Sequence, residues 1–125
     1  MSELTWKYIK PLKCDGAVTD FLRAHNISLP ESLLSCIITN NGGRPSKKRF
    51  DTALGKDYVF KSLLSYNEDD LDCIYKFFPT LFEGTHLYPI GTDAAGNFIC
   101  YDTSNQNYVL LNHETNTQEQ IILNP

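Results

Sequence analysis

The sequence predicts a single α+β domain, in which three or so helices pack around a mainly antiparallel sheet of about four to six strands. The chain has 125 residues, which fits one domain of the commonest size. Its hydrophobic fraction of 42% and charged fraction of 21% are close to globular averages, so one core can form without metals or disulfides. Helical periodicity dominates the first two-thirds of the chain, and short strand-like segments follow. These observations place residues 1–125 in one domain.

The first helix is predicted to begin at Asp15, whose side chain can cap the free amides of a helix start. Asn26 is a suitable residue to end it, because asparagine tolerates the left-handed backbone conformation. Three apolar residues at helical spacing form its predicted core face: Val18, Phe21 and Leu22.

The second helix is predicted from a capping-box pattern, which Ser28 and Glu31 form around Pro30 in the first turn. It should end at residues 40–43, Asn-Asn-Gly-Gly, because Asn and Gly accept the conformation that satisfies the last helical carbonyls. Four apolar residues at helical spacing lie between these signals: Leu33, Leu34, Ile37 and Ile38.

A third helix is predicted between a cap at Asn67 and a stop at Pro79. Its apolar stripe consists of Leu71, Ile74, Tyr75 and Phe78. Its first turn carries four acidic residues, Glu68, Asp69, Asp70 and Asp72. At that place carboxylates can cap amides and are favoured by the helix dipole. The alternative interpretation is an acidic docking patch for a cationic partner.

Strands are predicted at residues 50–51 and 57–64, where aromatic and β-branched residues cluster. Three later segments, separated by turn residues, should form an antiparallel meander: residues 86–91, 98–102 and 108–112. A last strand at residues 120–123 could extend it. The glycine-rich and aspartate-containing segment 91–97 fits neither a phosphate loop nor a calcium loop, so a hairpin turn is the preferred interpretation.

Composition narrows the possible partners. The formal net charge of -4 and the pI near 5.2 argue against direct binding of nucleic acid or anionic membranes. No apolar stretch approaches the roughly 20 residues that cross a bilayer, and the first residues begin no signal-peptide pattern, so a cytoplasmic protein is expected. One basic run is predicted to be an exposed, solvated loop: Arg44, Lys47, Lys48 and Arg49.

No catalytic residue, metal site or cofactor is predicted. The sequence has no nucleophile elbow such as GxSxG, and His25, His86 and His113 have no neighbour that completes an acid–base pair. The one catalytic alternative is a small hydrolase that uses these histidines with scattered carboxylates. The cysteines are widely spaced, lack a zinc-site pattern and are expected to be reduced and mostly buried: Cys14, Cys36, Cys73 and Cys100.

Most tyrosines fall on predicted strands, where a buried ring with a solvated hydroxyl explains them. Tyrosines also anchor interfaces, so six of them are interface candidates: Tyr58, Tyr66, Tyr75, Tyr88, Tyr101 and Tyr108.

Three motifs occur in a characteristic order. Leu-Pro-Glu at residues 29–31 opens a helix, Asn-Gly-Gly at residues 41–43 closes it, and residues 87–102 read LYPIGTDAAGNFICYD. Over residues 19–114 this order resembles the SUKH superfamily, which includes bacterial immunity proteins of contact-dependent and polymorphic toxin systems and a fungal regulator of cell-wall synthesis. The resemblance implies an α+β fold and protein binding, with no catalytic residues to carry over. The matching residues are expected to serve helix ends and turns: Pro30, Asn41, Gly42, Gly43, Gly91, Asp93 and Gly96.

The leading hypothesis is an immunity protein that binds a cognate intracellular toxin, a C-terminal nuclease domain, and covers its active site or substrate groove. Acidic side chains on one face would speed capture of a basic nuclease. The alternative is a regulatory or scaffolding module that binds a host enzyme, such as one of cell-wall synthesis. The candidate partner-binding residues are Glu68, Asp69, Asp70, Asp72, Asp93, Tyr101 and Asp102.

Overall fold

The computed structural model describes residues 5–46, 49–52 and 58–122. Its helices are α1 (Ala17–Ala24), α2 (Glu31–Thr39) and α3 (Ile74–Phe77), and α3 continues directly into a π-helical segment, Phe78–Phe82. Its strands are β1 (Trp6–Lys7), β2 (Arg44–Pro45), β3 (Arg49–Thr52), β4 (Tyr58–Leu63), β5 (Leu87–Asp93), β6 (Phe98–Asp102), β7 (Tyr108–Leu111) and β8 (Gln118–Ile122). The predicted strand residues Asp57 and Leu123, and Lys47 and Lys48 of the basic run, lie outside the described residues.

Strands β3 to β8 form one antiparallel sheet in which each strand pairs with its neighbour in sequence. The sheet closes on itself because β3 pairs with β4 through Phe50 and Tyr58, and with β8 through Thr52 and Ile121. The α+β class, the mainly antiparallel sheet and the meander are therefore confirmed.

A second, two-stranded sheet is formed by β1 and β2, where Trp6 lies opposite Pro45 and Lys7 opposite Arg44. The basic run was predicted to be a loop, and this was wrong for Arg44, which belongs to β2, and for Arg49, which begins β3. Arg44 lies in a strand because β2 pairs with β1, nearly forty positions earlier in the chain. Arg49 lies in a strand because it pairs with Val59 of β4. Local turn residues do not reveal either pairing.

Helix α1 buries the three predicted residues, Val18, Phe21 and Leu22. Gly16, and not Asp15, occupies the cap position, and no side chain caps the helix there. The chain leaves the helix as predicted, because Asn26 adopts a positive φ of 55°.

Helix α2 begins at Glu31 with Pro30 in the cap position. The predicted capping box is absent, because the cap position is occupied by Pro30, whose side chain has no hydrogen-bond acceptor, and Ser28 lies two residues before it. The predicted end of the helix is confirmed: Asn40 is the C-terminal cap, its Nδ2 donates to the Cys36 carbonyl oxygen at 3.0 Å, and Gly42 has a φ of 69°.

The third helix differs most from its prediction. Residues 67–72 form turns, α3 has only four residues, and Pro79 lies inside the π-helical segment instead of stopping the helix. Tertiary contacts explain the change, because the Asn67 side chain accepts from the Lys13 amide and donates to the Pro11 carbonyl, both at 3.0 Å. Backbone bonds of Ser65 with Asp72 and Ile74, both 2.9 Å, further hold the chain in a non-helical path.

One aromatic cluster joins the helices to the sheet. Its centre is Phe21 of α1, whose ring contacts Tyr66, Tyr75, Phe78 and Tyr88 at centroid separations of 5.2 to 6.4 Å. Three of these contacts are edge-to-face, the arrangement that the ring quadrupole favours. The cluster fixes α1 beside the 67–72 turn, and the candidate site lies between them.

Candidate functional site

An open groove of about 650 Å³ lies between α1, the segment around Lys13 and the turn after β4. We call it the acidic groove, because three carboxylates, those of Asp20, Glu68 and Asp69, line it against the single ammonium of Lys13. Three aromatic side chains also line it: Phe21, Tyr66 and Tyr75. A concave surface with both aromatic and charged groups is suited to binding a protein side chain or segment.

Lys13 and Asp69 form an exposed ion pair across one edge of this groove. The hydrogen bond between them holds the pKa of Lys13 above its ordinary value and the pKa of Asp69 below its ordinary value. Both groups are therefore charged at neutral pH, and Asp69 is partly neutralised by its partner. Asp20 lies 3.4 Å from the Arg23 guanidinium, which leaves Glu68 as the groove carboxylate without an ion-pair partner among the described residues.

The four acidic residues of segment 68–72 are close in space, but they do not share one face. Glu68 and Asp69 line the acidic groove, whereas Asp72 forms an ion pair with Lys61 at 3.4 Å and lines a neighbouring groove. Asp70 accepts a 2.5 Å hydrogen bond from the Ser65 hydroxyl. The interpretation of these residues as the capped first turn of a helix was wrong, because the segment is a turn that precedes α3.

Asp93, Tyr101 and Asp102 are buried, with exposed fractions of 2%, 4% and 4%. Asp93 accepts hydrogen bonds from the amides of Ala95 and Asn97 at 3.0 and 2.7 Å, so its carboxylate organises the hairpin turn. Tyr101 packs edge-to-face on Tyr108. These three predicted partner-binding side chains are thus enclosed by the protein, and the surface proposed below does not include them.

The Asp102 carboxylate is bound by its own loop. It accepts hydrogen bonds from the amide and hydroxyl of Ser104 at 2.9 and 2.6 Å, and it lies 3.5 Å from Nε2 of His86. Desolvation acts to raise the pKa of Asp102, but the Ser104 hydrogen bonds and the attraction of His86 outweigh it, so the pKa lies below its ordinary value. The result is a carboxylate that stabilises a turn while ionised.

The other two histidines have structural contacts. The His25 ring lies between Phe21 and Phe78, at centroid separations of 4.4 and 4.6 Å, and its Nδ1 is 3.2 Å from Glu83. His113 Nδ1 is 2.9 Å from the side-chain oxygen of Asn97. Within the described part of the chain, His, Cys, Asp and Glu side chains form no group of three that could hold a metal ion.

The four cysteine thiols are free. Cys73 and Cys100 are buried, Cys36 is half-buried and Cys14 is exposed at the acidic groove. Burial raises the pKa of the Cys36 and Cys100 thiols above their ordinary value, which keeps them protonated and poorly nucleophilic.

Residues 15–123 match the model of the SMI1 / KNR4 family (SUKH-1). The chain belongs to this family. The match agrees with the resemblance that the motifs at residues 29–31, 41–43 and 87–102 predicted, and it extends further toward both ends of the chain. No curated protein and no solved structure matches the chain.

The SUKH family includes both toxin immunity proteins and KNR4-like regulators. Protein–protein interaction is therefore the activity that membership implies for this chain. No helix among the described residues combines the length and apolar character that a bilayer crossing needs.

Asn41 has a larger role in this SUKH-1 chain than the predicted helix stop. Its side chain is fully buried, its Nδ2 donates to the Lys10 carbonyl at 2.8 Å and to the Ser65 hydroxyl at 3.1 Å, and its Oδ1 accepts from the Tyr66 amide at 2.8 Å. Asn41 thus ties the end of α2 to both segments that flank the acidic groove. The sequence contains no signal for this role, because the three partners come from distant positions.

Two glycines of the family pattern illustrate different requirements. Gly96 adopts a φ of 87° in the hairpin turn, as its predicted role requires. Gly91 was predicted to serve a turn, and this was wrong: it lies inside β5, beside a bulge in its pairing with β6. A Cβ atom there would lie 2.8 Å from both the Ser62 carbonyl oxygen and the Phe60 ring. Close packing of strand β4 is what excludes a side chain at Gly91.

Proposed function

We propose that this SUKH-1 chain is an immunity protein that binds a cognate intracellular toxin and neutralises it by direct contact. The toxin is a nuclease domain at the C-terminal end of a larger protein, and the complex forms in the cytoplasm. Membership of a family that includes immunity proteins supports the proposal. The acidic groove is the toxin-binding surface in this proposal, because Glu68 and Asp69 are exposed there beside aromatic side chains.

The chemistry of the partner matches this surface. A nuclease must attract the phosphate backbone of its substrate, so the rim of its active site is rich in Lys and Arg. Those side chains are complementary to a groove with three carboxylates and one ammonium. Long-range attraction would speed encounter, and occupation of the nuclease rim by the immunity protein would exclude nucleic acid.

The groove is prepared for binding before the partner arrives. The turn that carries Glu68 and Asp69 is held by the Asn67 side chain on one side and by the Ser65 backbone on the other. Tyr75 is half-buried, and its hydroxyl donates to the Tyr66 carbonyl at 3.2 Å. Because these groups are already ordered, little conformational entropy is lost on association.

Affinity purification of the tagged protein from its own organism, at low and at high salt, tests the proposal. Mass spectrometry should identify a toxin domain among the retained proteins, and its recovery should fall at high salt because screening weakens exposed charge pairs. The purified toxin domain should then lose its nuclease activity when mixed with this chain. Reproducible recovery of a housekeeping or cell-wall enzyme, with no toxin domain, would support the regulatory alternative instead.

A further inference from the structure

A second groove, of about 400 Å³, lies on the other side of the 67–72 turn. We call it the cationic groove, and we define it by six of its lining residues: Tyr8, Lys10, Arg44, Lys61, Leu71 and Asp72. It differs from the acidic groove in the sign of its charge, since three cations line it against one carboxylate. The two grooves share the 67–72 turn as their common wall.

Only one of the three cations forms an ion pair within the described part of the chain. Asp72 pairs with Lys61 at 3.4 Å, whereas Lys10 and Arg44 have no carboxylate partner among the described residues. The Arg44 guanidinium instead lies over the Tyr8 ring, 5.7 Å from its centroid. In a chain with a net charge of -4, this groove is a local excess of positive charge.

The same groove collects exposed apolar surface. Leu71 is 83% exposed and Tyr8 is 73% exposed, more than any other large hydrophobic residue that the structure describes. A single exposed leucine is common on protein surfaces. Here, however, one concave surface combines an exposed leucine, a tyrosine and an arginine. This composition is typical of the centre of a protein–protein interface.

Tyr8 also has an unusual backbone. Its φ is 58°, a region that a bulky side chain rarely adopts. The conformation is maintained from both sides, by the pairing of Trp6 with Pro45 and by a 2.8 Å hydrogen bond from the Lys10 amide to the Asn41 carbonyl. Such strain persists where the surrounding structure imposes it, and it is common at binding surfaces.

We infer that the cationic groove docks an acidic segment of a partner protein, with carboxylates on Lys10 and Arg44 and an apolar side chain between Leu71 and Tyr8. This binding is separate from toxin capture at the acidic groove. A protein segment fits better than a nucleic acid backbone, because the exposed Leu71 and Tyr8 side chains can receive an apolar side chain beside the two cations, and a phosphate backbone carries none.

The probe for this inference is a short synthetic peptide with glutamates on both sides of a central leucine. It is titrated into the isotope-labelled protein while backbone amide shifts are followed by NMR, without any toxin present. We expect the shifts to map to residues 8–10, 44, 61 and 71. A peptide with glutamine in place of glutamate should bind at least about tenfold more weakly, because the charge contacts are lost.

Variants of the protein locate the interaction. Arg44→Glu and Lys10→Glu should each weaken peptide binding about tenfold, and Leu71→Ser should weaken it severalfold. Arg23→Glu and Leu81→Ser are the matched controls, since both side chains are exposed and neither lines the cationic groove; they should bind as the parent does. Circular dichroism checks that each variant is folded. If one of the two charge-reversal variants misfolds, the other still tests the groove.

Several results would overturn the inference. These are no shifts at millimolar peptide, shifts outside the groove, equal binding of the glutamine peptide, or no effect of the two charge reversals. Tighter binding of a single-stranded oligonucleotide in the same groove would assign it to nucleic acid instead. A dimer seen by analytical ultracentrifugation and abolished by Arg44→Glu would assign it to a second copy of the chain. None of these results bears on the toxin proposal, because no toxin is used.

Discussion

Asn41 donates a hydrogen bond from Nδ2 to the Ser65 hydroxyl at 3.1 Å, and the same hydroxyl donates to Asp70 at 2.5 Å. This chain of bonds connects the end of α2 to the turn that separates the two grooves. Asn41 is fully buried, and its partners Ser65 and Tyr66 are buried as well, so water has little access to replace these bonds. The integrity of both proposed surfaces therefore depends on one buried amide.

Asn41→Ala is expected to destabilise the protein by about 2 to 4 kcal/mol, because the Tyr66 amide and the Ser65 hydroxyl lose a buried partner and the Lys10 carbonyl loses a part-buried one. Urea unfolding followed by circular dichroism measures this free energy. Gln118→Ala, which removes an exposed side-chain amide, is the control and should change it by less than about 0.5 kcal/mol. A loss below about 1 kcal/mol for Asn41→Ala would show that the network is not important.

Gly91→Ala should also destabilise the fold, by about 1 to 3 kcal/mol, since the added methyl group would press on the Ser62 carbonyl and the Phe60 ring. The comparison is Gly84→Ala, where a Cβ atom meets nothing within 4 Å and only the φ of 81° opposes the change. That variant should lose about 1 kcal/mol. Thermal unfolding of both variants measures the two losses of stability. A smaller loss for Gly91→Ala than for Gly84→Ala would contradict the packing explanation.

The buried hydroxyls of Tyr66 and Tyr88 hydrogen-bond to each other, and burial raises the pKa of both phenols above the ordinary value. Tyr88→Phe should cost about 1 to 2 kcal/mol, because the Tyr66 hydroxyl is left without this partner. The double variant Tyr66→Phe with Tyr88→Phe should lose less than the sum of the single losses. A double-mutant cycle in urea measures the difference, and strict additivity would mean that the two hydroxyls do not interact energetically.

Asp102 should make stability depend on acid pH. Its folded-state pKa lies below the ordinary value of 3.8, so its stabilising contribution is full above that value and is lost as pH falls through the lower folded-state pKa. Asp102→Asn should therefore reduce stability at neutral pH and flatten the decline between about pH 4 and pH 2. Unfolding free energies at several pH values measure this, with Asp15→Asn as an exposed control. An unchanged pH profile for Asp102→Asn would refute the assignment.

Glu68→Lys should weaken binding of the cognate toxin about tenfold at low salt, mainly through slower association. The same change at Glu114, an exposed residue outside the acidic groove, carries an equal change in net charge and should have little effect. Surface plasmon resonance at several salt concentrations separates the two rates. Equal effects of the two variants would show that net charge, and not the acidic groove, governs the encounter.

Local signals predicted much of this fold. The helical spacing of Val18, Phe21 and Leu22 identified the buried face of α1, and Asn40 and Gly42 identified the end of α2. The strand bounds of residues 98–102 were predicted to the residue. These features depend on side chains within one or two turns of each other, so their pattern is visible in the sequence.

The acidic segment shows where this approach fails. Residues 67–72 have the cap and the spacing of a helix start, yet Asn67 binds Pro11 and Lys13, which lie more than fifty positions away in the chain. The local preference is weak in comparison with buried hydrogen bonds, so the tertiary contacts decide the conformation. The same contacts determine which acidic side chains line the acidic groove.

The sequence by itself determined the class of this protein: an α+β domain with an antiparallel meander and the motif order of the SUKH superfamily. These properties follow from hydrophobic periodicity and from glycine and asparagine at helix ends and turns, which are local requirements. The tertiary structure alone decided that Asp93, Tyr101 and Asp102 are enclosed and that Glu68 and Leu71 face two different grooves. The physical reason is that exposure and charge complementarity depend on segments distant in sequence, whose meeting no local pattern encodes.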